Sequence, residues 1–188
     1  LLKDDVIFGR SDPDSDPCGY RAVLTTQLAE QYYNYPDLSE KIIAKNQEYI
    51  RPKEVDLLAL LESNVIDYLF LYRSVAQQHG LKYVVLPDSI NLKNPGLHDF
   101  YKTASTEIVG KEPGTTITKK GQPMVYGITI LDDAPNRQLA LKFVDFILSE
   151  DGGAKIMEKN GQPSMIPSYS ESYEAIPQQL KQYAKSKK

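Results

Sequence analysis

VIDYLFLYRSVAQQHGLKYVVL, residues 65–86, carries three elements in a row. Val65–Tyr72 is a continuous run, VIDYLFLY, of the sort found in strands buried on both faces of a parallel sheet. Ser74–His79 reads as a helix, and Gly80 as its C-cap. Lys82–Leu86 is then the next strand. A strand, a helix and a second strand at this spacing imply parallel strands joined by a crossover, hence a mostly parallel sheet covered by helices.

The same rhythm extends upstream. Val6–Arg10 reads as a short strand bounded by the turn cluster Ser11–Pro17. Gly19–Tyr33 reads as a helix, with Leu24, Leu28 and Tyr32 at i, i+4 and i+8. Leu38–Gln47 is a second helix with Asp37 or Ser39 as cap candidates. Glu48–Arg51 is a short strand ended by Pro52, and Glu54–Glu62 a buried helix. Downstream the texture changes. Residues 87–123 are broken by Pro and Gly and predict loops with short antiparallel strands. Val125–Leu131 predicts a strand, and Asp132–Pro135 opens a helix with Pro at a tolerated first-turn position. Leu139, Phe143 and Ile147 form its stripe, flanked by Ala140 and Val144. Gly152–Gly153 break that helix, and Ala154–Lys159 form another, stopped by Asn160–Gly161. The tail from Ser168, closing in KSKK, predicts a solvated end.

Hydrophobic residues at 41% and charged residues at 25% allow an ordinary globular core. The net charge of −3 argues against nucleic acid as a partner, because a phosphate backbone wants a basic patch. It also supplies no general attraction for anions, so local geometry must provide any anion site. One cysteine, Cys18, rules out an internal disulfide. No apolar run has the length of a membrane span, and no signal peptide is visible. The opening LLKDDVIFG lacks an initiator Met and runs almost at once into a strand, as in a piece of a longer protein.

In an open parallel sheet, ligands bind outside the carboxyl ends of the strands. Three segments reach that edge: Asp12–Pro17, Pro52–Glu54 and Tyr72–Ser74. Each precedes a helix start, where free N–H groups and the dipole favour an anion. Asp14, Ser15, Asp16, Glu54 and Tyr72 are therefore candidates for one cleft. Plainer roles stand beside this. Asp12, Asp14 and Asp16 in DPDSDP suit a turn and an N-cap. Glu54 suits a helix start without any ligand, and Tyr72 suits packing. Cys18 lacks an obvious base, since His79 and His98 lie at a helix end and in a loop. DPDSD hints at a calcium loop, but the prolines and the missing later Gly and Glu spoil the match. No phosphate-binding loop or dinucleotide fingerprint occurs.

FGRSDPDSDPCGYRA (8–22), IRPKEVDLLALLESNVIDYLFLYRSVAQQHGLKYVVLPDSINL (50–92) and MVYGITILDDAPNRQLALKFVDFILSEDGGAKIMEKNGQP (124–163) resemble the molybdate/tungstate-binding proteins of ABC importers, in their archaeal-type branch. The resemblance covers nearly the whole chain. It implies an α/β fold like the class II periplasmic binding proteins, with a parallel or mixed sheet carrying helices on both faces. Residues 1–123 would be the second lobe of a hinged, bilobal trap, and 124–188 a crossover strand and helices returning to the first lobe. The first part of the first lobe is not among these residues, so helices 135–149 and 154–159 are expected to pack partly against that segment, and 188 residues alone to bind weakly.

The resemblance also implies roles. Asp16 of DSDPCGY and Glu54 of RPKEVDLL would ligate the molybdenum or tungsten of the oxyanion, taking it from four to six ligands. Asp14 and Ser15 would hold oxo groups, and Tyr72 of LFLYRS would hydrogen-bond one. No cofactor is implied, and the ligand is tungstate or molybdate. The implied partner is a membrane permease, the implied place extracytoplasmic, and the implied activity binding without turnover. A hydrolytic enzyme using the carboxylate pair, or an oxyanion-sensing regulatory domain, are the alternatives. The first would need an activated nucleophile or a carboxylate pair at catalytic spacing, and the second a DNA-reading element, which the sequence does not show.

Overall fold

The structure, a computed structural model, describes residues 1–186. The fold is mixed α/β and divides into two units. The first takes Leu1–Tyr72 and Tyr83–Val125. The second takes Arg73–Lys82, which carries helix α4 (Arg73–Gln78), with the chain from Tyr126 onward.

The first unit is built on β1 (Phe8–Ser11), all four residues of which are buried. It lies between β2 (Ile50–Arg51) and β3 (Tyr68–Leu69) in a parallel sheet of order β2-β1-β3. Arg10 faces Ile50 and Ser11 faces Arg51 on one side; Phe8 faces Tyr68 and Gly9 faces Leu69 on the other. After β1 the loop turns into α1 (Pro17–Tyr33). Asp16 caps it in extended backbone and accepts the Cys18 N–H, while Pro17 occupies the first helical position, where its missing N–H costs nothing. The buried face carries Ala22, Leu24, Thr26 and Leu28. Tyr32, predicted on that face, is exposed and stands edge-on to Tyr33. Asn34 ends the helix in the left-handed region.

Next come α2 (Leu38–Ala44), a 3-10 turn at Glu54–Leu57 running into α3 (Leu58–Glu62), and later α5 (His98–Tyr101). Asp37 sits at the N-cap of α2 but makes no side-chain cap bond. The predicted antiparallel strands are a hairpin of β4 (Ser105–Val109) and β5 (Thr116–Lys120). Leu24 and Leu28 of α1 form the core with Ile90, Leu92, Tyr101 and Ala104.

Gly19 is where the loop and α1 meet most closely. A Cβ there would fall 2.5 Å from the Asp12 carbonyl carbon and oxygen and 2.6 Å from the Ser11 oxygen. These are backbone atoms and cannot swing aside. Gly19→Ala should therefore cost about 1–3 kcal/mol or more through forced backbone displacement. Chemical denaturation checks this; a change within ~0.5 kcal/mol would show that the loop is not seated on the helix.

Three predicted strands differ from the structure. Val65–Tyr72 is not a long strand buried on both faces: only Tyr68–Leu69 pairs, at the sheet edge, and Tyr68 is 50% exposed. Lys82–Leu86 and Val125–Leu131 form no strand, and Val84 at 79% and Tyr126 at 81% exposure show why. A β-prone run becomes a strand only where a neighbour takes its backbone groups and one face is covered.

In the second unit, α6 (Arg137–Leu148) begins two residues later than Pro135, because the Asn136 side chain accepts the Leu139 N–H and sets the cap. Val144 is its buried residue, whereas Leu139 is 61% and Phe143 59% exposed. α7 (Gly153–Lys159) follows. Gly161 then adopts φ +80°, and a Cβ there would lie 2.8 Å from the Ser74 Cα of α4, so this turn needs glycine twice over. Gln78 Nε2 donates to the Asn160 carbonyl at 3.1 Å and fastens α4 to the same turn. The tail is not a loose solvated end. β6 (Ser168–Ser170) pairs in parallel with β7 (Ala184–Ser186), Leu180 is buried, and the Tyr183 hydroxyl donates to Asp145 at 2.8 Å. Of the closing KSKK, Lys185 and Ser186 lie in β7; Lys187 and Lys188 lie outside the described residues.

Candidate functional site

The carboxyl end of β1 runs straight into the loop that holds three of the candidates, Asp14, Ser15 and Asp16. Asp12 N–H donates to the Arg51 carbonyl at 2.8 Å and ties this loop to the end of β2. The Asp12 carboxylate then accepts from Asp14 N at 3.1 Å and from the Ser15 hydroxyl at 2.8 Å. Its carbonyl accepts from the Ser15 and Asp16 amides. Asp14 Oδ1 accepts the Val109 N–H at 2.7 Å, so Asp14 anchors the hairpin end. Asp14 and Ser15 are thus engaged in shaping the loop.

Asp16 and Glu54, 38 residues apart, are brought together. Asp16 Oδ1 holds the Cys18 amide at 3.1 Å, and Oδ2 accepts the Glu54 amide at 3.0 Å. Glu54 opens the 3-10 turn after β2, with its own first-turn neighbour Asp56 accepting the Lys53 N–H. Burial acts to raise Asp16, but hydrogen bonds from the Glu54 carboxyl, the Cys18 and Glu54 amides and the Ser11 hydroxyl outweigh it and hold Asp16 below the ordinary carboxylate range. Glu54 moves the other way: its hydrogen bond to Asp16, and then burial, raise it. The two carboxyls are thus pushed apart: when the pair takes up a proton, Glu54 binds it before Asp16 does. Ser11 Oγ is fully buried beside them and meets no partner in full hydrogen-bond geometry, although it is near enough to favour the Asp16 anion.

Tyr72 follows β3 at the same edge. Burial pushes its phenol up to about 12, against the hydrogen bond from Arg21, and the Asp16 charge adds a smaller push. Arg21 Nη1 donates to Tyr72 Oη at 2.5 Å, and its guanidinium carbon stands 5.7 Å from the Tyr72 ring centre. Sequence reading passed over Arg21. Its signal was faint: a lone Arg one turn beyond the N-cap, with its partner 51 residues away. Among the described residues no group of three or more His, Cys, Asp or Glu side chains converges on a point.

A model of the family described as bacterial extracellular solute-binding protein matches residues 1–162. The chain belongs to that family. An uncharacterized solute-binding protein of Petrotoga mobilis is 50% identical over 187 residues, covering 98% of this chain and 58% of the relative. The molybdate/tungstate-binding protein WtpA of Pyrococcus abyssi is 45% identical over 96% of this chain and 56% of its own length. The protein of the same name from Thermococcus kodakarensis is 42% identical over 96% and 55%. The chain therefore spans somewhat over half the length of these curated relatives. Family membership goes with binding rather than turnover and with an extracytoplasmic setting. Among the described residues no helix is long and apolar enough to cross a membrane.

The single thiol of this solute-binding protein lies beside the Asp16–Glu54 pair. Cys18 is buried, and its Sγ contacts the Phe70 carbonyl at 3.6 Å. Burial, then the Glu54 and Asp16 charges, push the thiol up to about 12. The groups acting on it are Ser11, Asp16, Glu54 and Arg21, none of them a histidine. Alkylation of the folded protein at pH 8 should run roughly a thousandfold slower than in denaturant, since only the thiolate reacts. Near-equal rates in the two states would mean that the site loop opens freely.

Proposed function

We propose that this protein captures molybdate or tungstate outside the cytoplasm and delivers it to the membrane permease of an ABC importer. The observation that carries the reading is the Asp16–Glu54 pair at the carboxyl edge of the parallel sheet, with Asp16 ionised and Glu54 raised beside it. The names of the WtpA relatives support the choice of ligand. On this reading Asp16 and Glu54 give carboxylate oxygens to the metal of the oxyanion and complete six-fold coordination. Tyr72 donates its hydroxyl to an oxo group: Arg21 already occupies one lone pair of the phenol oxygen, which leaves the O–H to point elsewhere. Asp14 and Ser15 form the loop wall that faces the other oxo groups.

The fold assignment belongs to the same proposal: a class II binding-protein architecture in which residues 1–123 form the second lobe and 124–188 return to the first. The exposed Leu139 and Phe143 of α6 would then be covered by the first-lobe segment.

X-ray absorption at the tungsten edge of the loaded protein tests the coordination. Six oxygen neighbours, two of them farther than the oxo groups, are expected. Four equal short distances would return Asp16 and Glu54 to cap and turn roles. In calorimetry alongside, Tyr72→Phe should weaken tungstate by only about 1–3 kcal/mol, one hydrogen bond to a charged group.

A further inference from the structure

A cavity of about 240 Å³ opens in the first unit where α1 meets the β4–β5 hairpin. Its polar lining is Tyr20 and Arg21 of α1, Thr118, Lys119 and Lys120 of β5, and Gln122. Three of these carry positive charge in a chain whose net charge is −3. Two of them share one ring: the Arg21 guanidinium carbon stands 5.4 Å from the Tyr20 ring centre, and the Lys119 ammonium 5.6 Å from the same point.

Cations held this close normally answer to a carboxylate. Among the described residues the ion pairs engage Lys93, Lys102, Arg137 and Lys181, and none engages Arg21, Lys119 or Lys120. Glu107 of β4 is bonded to this lining, but it accepts the Thr118 hydroxyl at 2.5 Å rather than a cation. The face of Tyr20 offsets some of the repulsion between the two cations. A bound anion would relieve the remainder. Size narrows the choice, because 240 Å³ lies below the ~300 Å³ at which pockets for drug-sized molecules begin.

We infer that this cavity receives a small tetrahedral oxyanion, at a site separate from the Asp16–Glu54 pair and linked to Tyr72 by Arg21, which lines the cavity while donating to the Tyr72 hydroxyl. The inference goes beyond the proposed function and does not require it. Lysine and arginine attract a dianion by charge, so sulfate enters here as readily as tungstate. Collection by charge and selection by coordination then fall to different residues. Asp16 and Glu54 would repel a dianion they do not ligate, and a cationic station one side chain away counters that repulsion during approach.

The test is a titration of the ¹⁵N-labelled protein with sodium sulfate, with chloride adjusted to hold ionic strength constant. Saturable shifts are expected at the Arg21 side-chain N–H and at the amides of residues 118–120. Lys119→Gln with Lys120→Gln changes one half-buried and one exposed side chain, neither in an ion pair among the described residues, and should weaken sulfate about tenfold. Arg21→Lys should retain binding that Arg21→Met loses. Shifts that grow linearly without saturation, or a site whose affinity survives both lysine changes, would overturn the inference. Asp16→Asn with Glu54→Gln should leave the saturable shifts at residues 118–120 in place, whatever further sulfate the double change admits at the Asp16–Glu54 loop. Failure of tungstate coordination and failure of this site are thereby read separately.

Discussion

Replacing Asp16 by Asn and Glu54 by Gln together is expected to abolish measurable tungstate binding. The loss should exceed the roughly 10–100-fold that removal of an outer partner of a metal ligand costs. The physical ground is an apparent conflict. Two carboxylates facing a dianion at about 4 Å, in an effective dielectric near 20, each suffer roughly 4 kcal/mol of repulsion for every unit charge of the anion. Hydrogen bonds from Tyr72 and the loop do not recover that. Bonds from the carboxylate oxygens to the central atom do, because molybdenum(VI) and tungsten(VI) are large, hard and able to take six oxygen ligands. Sulfur(VI) cannot expand in this way, so sulfate meets the repulsion without the bonds. Each single variant should therefore weaken tungstate and at the same time relax the rejection of sulfate. Tungstate affinity unchanged in the double variant would sink the coordination reading.

The two single variants should part company in stability. Asp16→Asn keeps a cap acceptor for the Cys18 amide but turns an amide nitrogen toward the Glu54 N–H that Asp16 Oδ2 now accepts, at a cost of about 1–3 kcal/mol. Glu54→Gln removes an ionisation that Asp16 opposes. The Glu54 pKa is raised in the folded state, so the native protein loses stability as pH rises through that value. The variant should gain on the parent at neutral pH and not at acid pH, which melting curves at the two pH values would show.

The second large effect is structural. Tyr101→Ala should destabilise the protein by about 3–5 kcal/mol, a large share of the ~5–15 kcal/mol that holds a domain folded. Tyr101 has no exposed surface and fills the space between Leu24, Leu28, Ile90, Leu92 and Ala104. Its hydroxyl donates to the Asp88 carbonyl and accepts the Asn94 N–H at 3.1 Å. The alanine variant leaves a cavity and unpaired backbone groups together, whereas Tyr101→Phe should cost only about 1–3 kcal/mol. If urea unfolding shows equal losses for the two, the hydrogen bonds rather than the packing hold this core.

Local chemistry made parts of this fold readable in advance. DPDSDPCG announces a turn and an N-cap, and α1 begins there at Pro17, two residues before the Gly19 start that the sequence suggests. Gly80 and Asn160–Gly161 stop their helices in the places their backbone freedom suggests. What stayed hidden depends on partners. LKYVVL and VYGITIL are β-prone in composition, yet a ladder needs a second strand that composition does not reveal. The tail from Ser168 looks polar because, of its described residues, only Leu180 is buried, while Tyr169 stays 72% exposed. For the site, the sheet-edge rule led to Asp16, Glu54 and Tyr72, since each follows a strand. It did not lead to Arg21, which reaches the edge from the side of a helix.

Asp16 holds one backbone amide on each side of the loop, that of Cys18 at the start of α1 and that of Glu54 at the start of the next turn. An oxygen drawn toward a metal shares its lone pairs less fully with those amides. The tie between the two segments therefore slackens or tightens with occupancy, and deuterium uptake at these two peptide N–H groups would distinguish a filled from an empty protein with no label on the solute.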